Sequence, residues 1–111
     1  MLIGETYPIK IKSTRPGLDL NDAAEIIIRV LNNKKKLVDY LQSDGDVSID
    51  TNDIATGLAF LSRADSLRLV PGEMLIEMLA QFNIDPDYPT GAFVVAQMTV
   101  TVERAFITDK P

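Results

Sequence analysis

The chain is built from short stretches in which apolar and polar residues alternate, broken by turn-forming residues roughly every 8–15 positions. The clearest stretch is residues 92–106. There Val94, Ala96, Met98, Val100 and Val102 alternate with Val95, Gln97, Thr99, Thr101 and Glu103. A period of two with this many β-branched side chains predicts a strand. Residues 6–12 repeat the pattern, with Tyr7, Ile9 and Ile11 on one face and Thr6, Lys10 and Lys12 on the other. Pro8 has no N–H to give a ladder, which suits an edge or a strand start. Residues 54–60 place Ile54, Thr56, Leu58 and Phe60 on one face, and Gly57 among them signals a bulge or a close approach.

Two stretches admit either period. In residues 18–31, Asn21 or Asp22 is placed to cap a helix reaching Leu31. Against a helix stand Ile26, Ile27, Ile28 and Val30, whose branched side chains lose rotamer freedom there and pack well in a sheet. A strand with Ala24, Ile26, Ile28 and Val30 on one face is favoured. Residues 32–35 then form a hairpin connection, because Asn tolerates the left-handed conformation, and residues 36–42 return as a second strand. In residues 72–82, a strand puts Met74, Ile76, Met78, Ala80 and Phe82 opposite Glu73, Leu75, Glu77, Leu79 and Gln81. A helix would use Met74, Leu75, Met78, Leu79 and Phe82, and intrinsic propensity leans that way. The position between a Pro71-Gly72 turn and the strong final strand favours the strand.

The remaining segments are turns and short pieces. Residues 13–17 are a Pro-Gly turn. Val47 and Ile49 alternate within the polar residues 43–53 as a short strand. Ser62 is a good N-cap for one helical turn at residues 62–66, after which Leu67 and Leu69 alternate with Arg68. Residues 83–91 carry two prolines and a glycine and read as a loop, and residues 108–111 as a loose tail. About seven short strands in this spacing predict an all-β fold, an immunoglobulin-like antiparallel β-sandwich with one short helical turn. The alternative, an α+β domain, requires helices over residues 20–42 and 72–82.

At 111 residues the chain is one domain over residues 1–111, with its core in about 5–106. The net charge of −5 argues against binding nucleic acid or an anionic membrane, both of which reward clustered Lys and Arg. There is no Cys, hence no disulfide, thiolate nucleophile or sulfur metal site. There is no His, which removes the usual general base and zinc ligand. The start of the chain has neither the basic residues nor the apolar run of a signal peptide, and no apolar block approaches the ~20 residues of a membrane helix. The expectation is synthesis in the cytoplasm as a soluble protein or as a module of a larger particle.

Candidate chemistry is sparse. Asp44, Asp46, Asp50 and Asp53, with Asn52, begin like a calcium loop. The sixth position is Ile49 instead of Gly and the twelfth Ala55 instead of Glu, so the motif fails where its geometry is strictest and a solvated turn is expected. Glu73 and Glu77 share a face, but nothing else marks the sugar-sized cleft a carboxylate pair needs. Ser62 and Ser66 have no base to activate them. Arg15-Pro16-Gly17 is no phosphate loop. Lys34, Lys35 and Lys36 read as a solvated loop, and Met74 and Met78 as core filling. No catalytic, cofactor-binding or metal-binding residue is assigned, and a non-enzymatic protein is expected.

One family shares the order of these motifs. A first strand leads into Pro16-Gly17-Leu18-Asp19-Leu20, and a strand through Ala24, Ile26, Ile28 and Val30 follows. A hairpin then enters Asp44-Gly45-Asp46-Val47-Ser48-Ile49. Next come Leu61-Ser62-Arg63-Ala64-Asp65-Ser66 with Pro71-Gly72, a long strand, and a last strand through Met98, Val100 and Val102. Over residues 5–106 this resembles the immunoglobulin-like N-terminal domain of phage baseplate upper proteins and related tail-fibre modules. The resemblance implies a structural module of a virion tail or baseplate, made in the bacterial cytoplasm. It implies contacts with other tail proteins or further copies of itself, and none with nucleic acid or membrane. The chain departs from the family at residues 83–91, where a short Asp-Gly loop is usual, which leaves the register of the last two strands open. Leu75, Leu79, Val95 and Phe93 are the first candidates for exposed apolar contact positions. A competing expectation is a carbohydrate- or cell-surface-binding adhesin sandwich. It would need exposed aromatics or a calcium loop, and aromatics are only 6% of this chain, with no Trp.

Overall fold

The computed structural model describes residues 1–82 and 92–104, where seven strands form. They are β1 (Tyr7–Lys12), β2 (Glu25–Asn32), β3 (Lys35–Leu41), β4 (Ser48–Asp50), β5 (Asp53–Leu61), β6 (Gly72–Gln81) and β7 (Ala92–Val102). One helical turn, α1 (Arg63–Ser66), joins β5 to β6. The expected loop at residues 83–91 and the tail at 108–111 lie outside the described residues.

Both ambiguous stretches form strands, over Glu25–Asn32 and Gly72–Gln81, although Ala24 and Phe82, expected on their faces, lie outside them. Ile26, Ile28 and Val30 of β2 and Met74, Ile76, Met78 and Ala80 of β6 are fully buried on one face of their sheet. The cap at residues 18–24 produces only a single 3-10 turn, Leu20–Asp22, in which the Asp19 carboxylate accepts from the Asn21 N–H at 2.9 Å. Asn33 and Lys34 take φ of 50° and 70°, which makes the β2–β3 connection a two-residue hairpin of the type that follows strand twist.

The strands pair in two antiparallel sheets, ordered β1-β5-β4 and β3-β2-β6-β7. The chain changes sheet after β1, β3 and β5 and returns by a hairpin after β2, β4 and β6. This is the strand order of an immunoglobulin-like sandwich that lacks the usual first strand. In its place the N-terminal residues run parallel to the end of β7: Ile3 N–H donates to Glu103 O at 3.0 Å and Glu103 N–H to Met1 O at 2.9 Å. That pairing covers part of the β7 edge. The β1 edge carries Pro8, Lys10 and Lys12, residues that discourage further strands from adding.

Three expectations need correction. Leu67, Arg68, Leu69 and Val70 do not extend a strand. They form the turn after α1, with Leu69 buried and Leu67 and Val70 about half exposed. In β5 the face expected to hold Ile54, Thr56, Leu58 and Phe60 against the core does so only at Thr56, which is buried, whereas Ile54 is exposed and Phe60 is 65% exposed. The core face of β5 carries Gly57, Ala59 and Leu61, because Met78 and Ile28 from the other sheet already fill the space above Gly57. A Cβ on Gly57 would stand 2.7 Å from Met78 Sδ. In β7 the period slips: Met78 pairs with Ala96 but Leu79 with Val94, so Val95 is an extra residue. Val95 and Ala96 are both buried at this bulge. Of the four proposed contact positions, Leu79 and Val95 are therefore buried, Leu75 is half-buried and Phe93 is exposed.

Candidate functional site

The polar groups named from sequence hold the fold together. Ser62 caps α1 by accepting from Asp65 N–H at 3.1 Å, and Ser66, fully buried, accepts from Gly4 N–H at 2.8 Å. The Tyr40 hydroxyl donates to Asp65 Oδ2 at 2.7 Å and accepts from Ser62 N–H at 3.3 Å, tying β3 to α1. Burial, and after it the bond to the Asp65 carboxylate, pushes the Tyr40 phenol up to about 12. Arg68 reaches Leu37 O at 3.1 Å on the same side of the fold.

A second knot lies where the sequence shows only a hairpin turn. The Asn32 side chain, only 6% exposed, donates to Val70 O and Glu73 O and accepts from Val70 N–H at 2.7 Å. Asn33 adds a bond to Pro71 O and accepts from Glu73 N–H. Gly72 has φ of 137°, and any Cβ there would run into the Asn33 carboxamide. The Asn pair reaches across 38 to 41 residues of sequence, a span that periodicity does not reveal.

The carboxylates do not converge. Asp50 pairs with Lys10 at 3.6 Å and caps the Asn52 N–H, whereas Asp53 takes Lys12, the Ala55 N–H and the Thr56 hydroxyl. Those bonds, the one from the Ala55 N–H foremost, hold the Asp53 carboxyl below its ordinary value. Among the described residues no three metal-ligating side chains gather. Glu73 and Glu77 lie on the outer face of β6, where Glu77 accepts from Gln97 Nε2 at 2.7 Å. The surface of the described residues carries several recesses. One of about 340 Å3 lies between the β2–β3 hairpin and Arg68 and Val70, and one of about 260 Å3 lies beside Phe60.

The outer face of the four-stranded sheet has the most ordered pattern. Strand register sets its side chains in three rows. The first is Leu41, Ile27, Leu79 and Val94. The second is Asp39, Arg29, Glu77 and Gln97. The third is Lys36, Leu31, Leu75 and Thr99. An apolar row and a row apolar at its centre, Leu31 and Leu75, therefore flank an ionic one. Arg29 Nε donates to Asp39 Oδ1 at 2.8 Å, and Lys36 adds a second cation to Asp39 at 3.0 Å. Burial pushes the Asp39 carboxyl up, but the bonds from Arg29 and Lys36 outweigh it and leave it below the ordinary value. Asp39, and more weakly Glu77, raises Arg29.

Comparison with protein-family models, curated proteins and solved structures returned no match.

The apolar members of these rows are separate from the core. Leu79, although only 7% exposed, lies outside the core cluster. Ile27, Leu31, Leu41 and Leu75 are half-buried and also outside the group of side chains packed on that cluster. Among the described residues no helix is long and apolar enough to cross a membrane.

Proposed function

We propose that the chain is a non-enzymatic assembly module that works through a surface, and that its setting is a phage tail or baseplate. The observation that carries the surface reading is the outer face of β3-β2-β6-β7. Its apolar side chains lie outside the core cluster, and in an isolated protein Val94 is 42% exposed and Ile27, Leu31, Leu41 and Leu75 are left half-exposed to water. A binding module built on a sandwich keeps its contact residues on a rigid sheet, as these are. The phage setting is supported by the sequence resemblance centred on residues 61–72. The test is to tag the chain in its own host and fractionate particles on a density gradient. The expected result is co-migration with tail proteins in fixed proportion. Recovery only among free proteins would contradict the setting.

A further inference from the structure

We infer that the outer face of the four-stranded sheet binds a second copy of this chain, about a two-fold axis that runs along the strands between β2 and β6. The inference rests on reading that face as the contact surface and adds its occupant. Registers of β2 and β6 place Ile27 beside Leu79, Arg29 beside Glu77, and Leu31 beside Leu75. Rotation by half a turn about an axis parallel to the strands lays β2 of one copy over β6 of the other and keeps each row at its own height. Arg29 then faces Glu77 of the second copy, twice over by symmetry. Ile27 faces Leu79, Leu31 faces Leu75, and Asp39 faces Gln97. Leu41 faces Val94, Lys36 faces Thr99, and no like charges oppose.

The charge pattern also excludes the other face-to-face arrangement. A two-fold axis perpendicular to the strands would set Arg29 over Arg29, Asp39 over Asp39 and Glu77 over Glu77. Like charges in contact cost several kcal/mol in an interface. Two twisted sheets pack with their strands about 30° apart, so the rows nearest the axis carry the match. The area suffices: at ~3.3 Å per residue and ~4.8 Å per strand, the sheet presents about 600 Å2 per copy, roughly 1,200 Å2 in all. That is at the lower end of specific interfaces and fits a reversible dimer that a larger particle can reinforce.

Swapping the charges tests the pairing. Glu77→Arg sets two arginines against each other across the axis, and Arg29→Glu sets two glutamates against each other. Each variant alone should dimerise about a hundredfold more weakly than the native chain in sedimentation equilibrium. In an equimolar mixture one of the two cross-axis contacts joins the native Arg29 to the native Glu77, and the other joins the two introduced residues with their charges exchanged. Both contacts are again between opposite charges, and the mixture should form a heterodimer of near-native affinity. Val94→Asp, at a position 42% exposed, charges the first apolar row without touching the ion pairs and should weaken the dimer by about tenfold. Far-UV circular dichroism checks that each variant is folded, and Val94→Asp decides the face if a swap variant is not. A native chain that stays monomeric into the millimolar range overturns the second-copy inference. So does a dimer that Val94→Asp leaves intact, or a pair of folded, monomeric swap variants that ignore each other on mixing. The purified chain suffices for all of this, so failure of the phage setting on the density gradient would leave the result untouched. Conversely, a monomeric chain whose Val94→Asp variant is lost from particles would leave the contact surface standing with a different occupant.

Discussion

Asn32 is the residue whose removal the fold should feel most sharply. Its carboxamide makes three bonds to the backbone at Val70 and Glu73. Asn32→Ala leaves the Val70 N–H without its partner and is expected to cost about 2–3 kcal/mol, measurable by urea unfolding. Gly57→Ala pushes a methyl group into Met78, itself fully buried, and should cost about 1–3 kcal/mol by the same measurement. Tyr40→Phe removes one bond to the Asp65 carboxylate and one from Ser62 N–H, a loss of about 2 kcal/mol near neutral pH. The phenol also sets a pH dependence. Its folded value, about 12, lies above the ordinary 10, so between those values the folded state holds the proton more tightly than the unfolded chain. The phenol's contribution is complete below pH 10 and is lost as pH rises toward 12. Thermal melts across this window should fall more steeply for the native protein than for Tyr40→Phe. Little of this scale is legible in the sequence. Asn32 looks like an ordinary turn residue and Tyr40 like an ordinary strand residue until folding brings Val70 and Asp65 to them.

At the scale of elements the sequence is far more readable, because a strand's burial is written in its period. β1, β2, β3 and β6 follow it, and residues 72–81, whose propensity leans helical, become a strand because both neighbours pair with them. The two failures have physical causes. In β5 Ile54 and Phe60 point outward, and the core face carries Gly57, Ala59 and Leu61, with Met78 and Ile28 of the opposing sheet filling the space above Gly57. In β7 a bulge at Val95 shifts the alternation, and period alone carries no mark of an inserted residue. The ionic row across β3, β2 and β6 belongs to the same scale. Asp39 is held below its ordinary value, so its contribution is complete above the ordinary carboxylate range and is lost as pH falls through the folded value. Acid titration of Asp39→Asn should accordingly show a shallower loss of stability than the native protein. The Lys10–Asp50 pair, by contrast, joins a lysine that is 72% exposed, and Lys10→Ala should change stability by less than about 1 kcal/mol.

The whole molecule combines a filled core with a sheet face whose apolar and ionic rows belong to neither core nor solvent. Of the four apolar contact residues expected from sequence, Val95 lies in the core, whereas Leu79, only 7% exposed, lies outside the core cluster on the outer face. Register supplies what composition could not: Arg29 and Glu77, far apart in the chain, are cross-strand neighbours. That juxtaposition makes the face self-complementary and ties the assembly reading to two residues. Incorporation into particles tests it most directly, by expressing tagged Glu77→Arg in the native host alone and together with Arg29→Glu. Glu77→Arg alone should be depleted from tail particles, and co-expression should restore it. Incorporation of Glu77→Arg at the native level, with no second variant present, would contradict the self-complementary face.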